Sequence, residues 1–372
     1  MAFFDPCDPV GSSFREAVSA AIGDFLAQER EQSARIGSEL APLDRLAERF
    51  TQGGKRLRPG FCYWGHAAIA GQPSDPGALL RASAALDLLH VSALMHDDVM
   101  DASDTRRGQP AAHRQFENWH REQHGRGDAE AFGRAGAILL GDLLLVWRQD
   151  LFHVSGMSPE ALARGEAVLA HMRAEVVQGQ FLDVVSQTRL FSGTDPLDPG
   201  VLAEELARIY RVVDYKSARY SVRHPLEIGL ALAGASAPTT EQLVAFGSLV
   251  GRAFQFRDDL LGVFGDEQVT GKPAGDDLRE GKRTVLVAHA LAKAPRAAAE
   301  VLDAMLGRPD LGSNDIDQAR EIVISSGAVE AVEDEISASV EQALEHLAAA
   351  EITQEGRTAL QALVEAAVNR QR

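Results

Sequence analysis

Apolar residues recur every three to four positions along much of this chain, in stretches near 13–30, 76–100, 131–153, 158–186, 199–215, 239–264 and 328–349. That spacing lines one side of a 3.6-residue helix, so each stretch predicts a helix with an apolar face. Alternation of period two, the mark of a half-buried strand, is scarce. Pro and Gly gather at 71–77, 193–200, 235–240 and 271–275, which read as loops between helices. The polar, Gly-containing run 120–130 reads as a surface loop. No loop is long or biased enough to be a domain linker, and no fixed-period repeat points to a solenoid. The pattern predicts an all-α fold, one domain over residues 1–372 built as a large helical bundle.

Composition strengthens that expectation. The chain is rich in Ala, Leu, Glu and Arg and only 6% aromatic, a balance that favours helices over sheets. Its formal charge of −17 argues against a general nucleic-acid or anionic-membrane binder, since both need a positive field. An anionic ligand must therefore be held by local cations or by metal. Cys7 and Cys62 are too few for a disulfide framework and lack metal-ligand spacing. The opening residues MAFFD have no basic stretch followed by an apolar run, so no signal peptide is expected. No uninterrupted apolar segment approaches the ~20 residues that span a bilayer. A cytoplasmic protein without a transmembrane segment is the expectation.

The chemistry gathers in three places. Asp97, Asp98 and Asp101 follow the apolar run 86–95. On a helix Asp97 and Asp101 lie four apart and Asp98 and Asp101 three apart, so their carboxylates crowd one face and repel unless a cation neutralises them. Mg²⁺ suits such a place, because it takes one or two carboxylates and completes its shell with water and phosphate oxygens. A solvated acidic helix end would produce the same string. A second acidic pair, Asp258 and Asp259, also emerges from an apolar helical stretch, and Asp266 follows it. Two such pairs on two hydrophobic helices are hard to explain as surface decoration, because burying them uncompensated is costly. Facing each other across a bundle, they would clamp metal ions around one diphosphate. The third place is basic: GGKRLRP at 53–59, with Arg106, Arg107 and Gly108 downstream of the first acidic motif. In an acidic protein, Lys and Arg concentrated beside Gly suggest a diphosphate site, where guanidinium groups bind oxygens in bidentate fashion.

The ordered set GGKRLRP, LLHVSALMHDDVMDASDTRRGQP, GQFLD, YKSARY, FQFRDDLLGVFGD and TGKPAGDDLREGKR runs from about residue 50 to 285. It resembles the trans-isoprenyl diphosphate synthases, also called polyprenyl synthetases, and most of all those that make geranylgeranyl diphosphate. The resemblance implies an isoprenoid-synthase helical bundle with a central apolar cavity, working as a homodimer. It implies head-to-tail condensation of isopentenyl diphosphate with an allylic diphosphate (dimethylallyl, geranyl or farnesyl), assisted by three Mg²⁺ ions.

Carried over residue by residue, Asp97, Asp98 and Asp101 resemble the first metal-binding motif and Asp258 with Asp259 the second. Arg106, Lys216 and Lys272 resemble the cations that contact the allylic diphosphate, with Gln180, Asp183 and Gln255 nearby. Lys55, Arg58, His90 and Arg107 resemble the isopentenyl diphosphate site. A lone His on an apolar helix is usually a satisfied core residue, and it is the motif around His90 that raises it to a candidate. Two departures matter. Gly262 stands where many members carry a third aspartate, and Ser217 stands where Thr is common, which keeps the hydroxyl.

The same resemblance makes residues upstream of Asp97 candidates for setting product length. Ser92 and Ala93 lie about 6–8 Å below it at a rise of about 1.5 Å per residue, and both are small. Leu88 and Leu89, about 12–14 Å down, form the next layer. That leaves room for a twenty-carbon product, with farnesyl or longer polyprenyl diphosphates as alternatives. A terpene cyclase would have no use for GGKRLRP. A silent partner subunit would not need both acidic motifs intact.

Overall fold

Helices form where the three- and four-residue spacing places them. The computed structural model describes residues 4–187, 195, 197–265, 275–308 and 310–369. Its elements begin with α1 (Ser12–Ile36), α2 (Ala41–Thr51), α3 (Leu57–Ala70) and α4 (Gly77–Met100). A two-stranded hairpin, β1 (Thr105–Arg106) and β2 (Gln109–Pro110), leads into α5 (Ala112–Glu122), α6 (Ala129–His153) and α7 (Pro159–Gln187). Next come α8 (Pro199–Val212), a π-helix over Val213–Arg223, α9 (His224–Ala233) and α10 (Ala237–Phe264). The remainder comprises α11 (Asp276–Arg279), α12 (Val285–Lys293), α13 (Arg296–Met305), α14 (Ser313–Ser325), α15 (Ala328–Ala349) and α16 (Gln354–Val368).

The all-α expectation holds. Three local readings change. The run 120–130 is an exposed loop as expected but only over 123–128: α5 continues to Glu122, and α6 starts at Ala129, where the Asp128 side chain accepts the Glu130 backbone N–H at 2.9 Å and caps the helix. The 235–240 loop is shorter, because Ser236 caps α10 through the Thr239 N–H and Pro238 sits in the first turn, where a missing N–H costs nothing. Helix does not stop at 215 but widens into the π-helix. The 193–200 loop is described at 195 and 197–198 and ends where α8 begins at Pro199, whereas the 271–275 loop is described only at Gly275.

These elements form two compact units, one of Met1–Glu166, Pro225–Ala235 and Ile352–Leu363, the other of Ala167–His224, Ser236–Glu351 and Val364–Arg372. Neither is a continuous stretch, so no single cut in the sequence separates them. In the first unit α4 is the central helix, packed chiefly on α6 and also on α1 and α3. α4 has the length and mean composition of a membrane-crossing helix, but Arg81, Asp87 and His90 interrupt its apolar run. Its most apolar window is 72% buried, as befits a core helix whose apolar residues surround it on all sides. Backbones of α3 and α9 touch closely: a Cβ on Gly65 would meet the Leu226 carbonyl at 2.8 Å, and one on Gly229 would overlap that of Cys62. In the second unit α10 is central, packed on α15 and on the π-helix. Arg257 anchors α10 to α15 by a two-pronged pair with Glu333, both contacts at 2.7 Å.

Candidate active site

In the first unit α4 delivers the acidic motif at its C-terminus. Asp97 and Asp98 occupy the last helical turn, and Asp101 is the residue that closes it, its N–H donating to the Asp97 carbonyl at 2.8 Å. Asp101 is thus one step beyond the helix on which the spacing placed it. The two neighbouring carboxylates differ sharply. Asp97 is half-buried and reachable, whereas the Asp98 side chain is 0% exposed and accepts both Arg106 Nε, at 2.9 Å, and Arg106 Nη2. The cation that relieves the acidic crowding is therefore a residue of this chain.

The hairpin aims that arginine. Arg107 and Gly108 form its two-residue turn, both with positive φ (52° and 71°), the geometry whose twist matches antiparallel strands. It turns Arg106 back onto Asp98 and Arg107 onto the loop before α3, where Arg107 donates to the Gln52 carbonyl at 3.2 Å and lies against Gly54. Gly53 and Gly54, with φ of 68° and 88°, make that loop's turn as expected. Lys55 is exposed there and Arg58 is half-buried on the first turn of α3. Arg56, which the motif comparison left unassigned, holds the loop from behind: its buried guanidinium pairs with Asp87 at 2.6 Å and donates to the Thr51 carbonyl at 2.8 Å. Burial, then Arg58, Arg107, Arg106 and Arg56, push the His90 pKa well below 6.5, so its imidazole is neutral at physiological pH. Arg58, His90 and Arg107 thus lie close together, with His90 as a neutral group among cations.

Upstream on α4, Ala93 is half-buried while Ser92 and Leu89 are buried. Leu88 is 0% exposed, and nine residues before Asp97 it lies about half a turn round the helix, so it belongs to the core and Leu89 is the residue on the Asp97 side.

In the second unit α10 carries the other acidic pair with the same asymmetry. Asp258 is half-buried and Asp259 is 3% exposed. Here the buried carboxylate is held by neutral donors: Gln255 Nε2 at 2.7 Å and the Val285 N–H at 3.4 Å, at the start of α12. Burial, with Asp277 and Asp258 close by, raises the Asp259 pKa to about 8 against the lowering effect of those hydrogen bonds. At pH 7 Asp259 is largely a neutral acid. Ser217 Oγ, on the π-helix, donates to Gln255 Oε1, so Ser217, Gln255 and Asp259 form one chain of hydrogen bonds. Lys216 Nζ lies 2.5 Å from Asp183 Oδ2 on α7, and Gln180 is half-buried on the same helix.

The Gly262 departure has a structural counterpart. A Cβ at 262 would overlap the Asp277 carboxylate, so the space a third aspartate would need is filled by Asp277 from α11, itself 3.5 Å from Lys282. Lys272 and Asp266 lie outside the described residues.

Among the described residues no three His, Cys, Asp or Glu side chains form a ready-made metal cluster. Each motif instead presents a reachable carboxylate, Asp97 or Asp258, next to a buried one, and Asp101 adds a second half-buried carboxylate to the first motif. That donor set fits Mg²⁺, which takes one or two carboxylates and fills its shell with water and phosphate oxygens.

A family model described as polyprenyl synthetase matches residues 41–323. The chain is 33% identical over 294 residues to geranylfarnesyl diphosphate synthase of Aeropyrum pernix, covering 78% of this chain and 82% of that protein. It is 30% identical over 370 residues to nonaprenyl diphosphate synthase of Mycobacterium tuberculosis, covering 100% and 97%. Among solved structures it resembles geranylgeranyl pyrophosphate synthase from Corynebacterium glutamicum complexed with isoprenyl diphosphate and magnesium, with a TM-score of 0.89, 38% identity, and coverage of 96% of this chain and 99% of that one.

Proposed function

The chain belongs to the polyprenyl synthetase family and is a prenyltransferase, and on that premise we propose that it condenses isopentenyl diphosphate head-to-tail with allylic diphosphates, with Mg²⁺, to make mainly geranylgeranyl diphosphate. The observation that carries the reading is the repeated arrangement of the acidic motifs: a reachable carboxylate beside a buried, hydrogen-bonded one, at Asp97 and Asp98 and again at Asp258 and Asp259.

Asp97 with Asp101, and separately Asp258, would hold metal, which when bound neutralises diphosphate oxygens and stabilises the leaving group. Arg106, Lys216 and Lys272 add positive charge to the allylic diphosphate as its C–O bond ionises. Binding there exchanges partners, since Arg106 is held by Asp98 and Lys216 by Asp183. Lys55, Arg58 and Arg107 hold isopentenyl diphosphate, while the neutral His90 donates a hydrogen bond without adding charge. The isopentenyl double bond then attacks the allylic carbocation, and the diphosphate that has left takes up the proton lost from the new chain.

Two finer readings belong to the proposal. Small Ser92 and Ala93 below Asp97, with Leu89 as the next layer, support a twenty-carbon product. A homodimer is supported by α6, whose Ile138, Leu139 and Val146 are exposed at 42%, 61% and 56%. Product chromatography tests the length. The unmodified enzyme, given isopentenyl diphosphate with dimethylallyl, geranyl or farnesyl diphosphate, should release twenty carbons, and Ala93→Phe or Ser92→Phe should shift output to fifteen. Products of twenty-five carbons or more, or no shift in either variant, would reject this account of length.

A further inference from the structure

The π-helix over Val213–Arg223 is the least expected element in the molecule. Hydrogen bonding to the fifth residue is rare and occurs mostly as single-turn bulges in α-helices, often at functional sites. Eleven residues of it must be held from outside. We propose that one face of α7, built from Glu175, Gly179 and Asp183, is the template that keeps this segment in the register that presents Lys216 and Ser217, with Glu175 as the positioning residue. The proposal rests on the reading of Lys216 as a contact to the allylic diphosphate.

Glu175, Gly179 and Asp183 are four residues apart and share one side of α7. Each meets a different part of the π-helical stretch. Glu175 takes Arg219 on one oxygen, at 3.1 Å, and His224 Nε2 on the other, at 2.7 Å. The His224 side chain is 4% exposed and that of Arg219 17%, so these contacts act in a medium much less screening than water. At Gly179 the backbone of Tyr215 and Lys216 lies directly against α7, and a Cβ would overlap it. Asp183 then receives the Lys216 ammonium at 2.5 Å. From α10, Gly251 allows an equally close approach to the Ala218 carbonyl, while Arg219 covers the Tyr215 ring at 4.7 Å.

Register decides where Lys216 points. If the segment relaxed to an ordinary α-helix by one residue, side chains beyond the slip would rotate by about 100°, the angle between successive residues at 3.6 per turn. Lys216 could not then stay on Asp183 while Ser217 stays on Gln255. Glu175 grips the far end of the segment, at 219 and 224, where such a slip would have to be absorbed.

The test is steady-state kinetics of the full chain with Mg²⁺ and both diphosphates, for Glu175→Gln, Lys216→Ala and the double variant, with amide hydrogen exchange over 213–223. Glu175→Gln should raise the allylic KM about tenfold, the worth of one charge-assisted hydrogen bond, and leave the isopentenyl KM within about twofold. In the Lys216→Ala background it should add less than about twofold, because its route through Lys216 is gone. Exchange over 213–223 should quicken, and Glu175→Asp should recover part of the loss. Should Glu175→Gln fold poorly, Gly179→Ala replaces it and should raise the same KM. Additive effects in the double variant, equal rises in both KM values, or a lowered thermal midpoint with unchanged KM values would overturn the proposal. If Lys216→Ala alone leaves the allylic KM unchanged, the reading of Lys216 falls and takes the proposal with it. If Lys216→Ala raises that KM and Glu175→Gln does not, only the proposal falls.

Discussion

The two acidic motifs look alike in sequence and are built on opposite electrostatic plans. At the end of α4 the buried carboxylate, Asp98, is paired with a cation, Arg106, delivered by a two-residue hairpin turn. On α10 the buried carboxylate, Asp259, is given an amide and a backbone N–H, and its pKa rises to about 8. One motif stores an ion pair and the other a proton. A repeated string therefore does not imply a repeated charge state, because desolvation acts on both and only the partner decides whether charge survives it.

The largest effect should come from the carboxylates the two plans share as reachable ligands. Asp97→Ala and Asp258→Ala should each lower kcat on the order of 10²–10³-fold, the scale of one lost electrostatic stabiliser at a leaving oxyanion. Their thermal midpoints should hold or rise, since like-charge crowding is relieved. Near-normal turnover in both would break the comparison at its root.

The buried pair should separate the plans. Asp98→Asn removes the nearer of the two carboxylates paired with Arg106, leaving Asp97 at 3.9 Å, and should cost about 1.5–3 kcal/mol in unfolding free energy at pH 7. Asp259→Asn replaces a group that is already neutral and keeps an oxygen for Gln255, so it should cost less than about 1 kcal/mol. Denaturant titrations of the two variants measure the difference, and equal losses would show that one plan serves both motifs.

The proton at Asp259 also has a pH signature. Its folded pKa is raised, so the folded state keeps a proton that the unfolded chain releases above its ordinary carboxylate pKa of 3.8. Stability from this group is full below about 4, falls as pH rises, and is flat above about 8. Metal-free protein should therefore lose stability between these values, and Asp259→Asn should flatten that part of the curve. An unaltered slope in the variant would assign the proton elsewhere.

Periodicity sufficed for the long helices: the stretches 76–100, 131–153 and 239–264 match α4, α6 and α10 to within two residues at each end. Both acidic pairs and the GGKRLRP loop were legible because their chemistry is local. The partners were not. Nothing in the order of residues says that Arg106 turns back on Asp98, or that Arg56 reaches Asp87 behind the Gly53–Gly54 turn. Gly262 could be seen as a departure, but that Asp277 fills its space is a fact about the approach of α11 to α10. The π-helix was missed because its wider turn gives no apolar period of its own. The one sign was Gly179 in GQFLD, a glycine inside a strongly helical stretch, which makes sense only where another backbone comes close.

The central claim, that this chain is a Mg²⁺-dependent condensing enzyme, is tested most directly by incubating purified protein with isopentenyl and farnesyl diphosphates and following released diphosphate and prenyl product. The account predicts twenty-carbon product with Mg²⁺, none with a chelator, and recovery when Mg²⁺ is restored. Product formation unaffected by the chelator, or no condensation with Mg²⁺ and any allylic diphosphate of five to fifteen carbons, would contradict it.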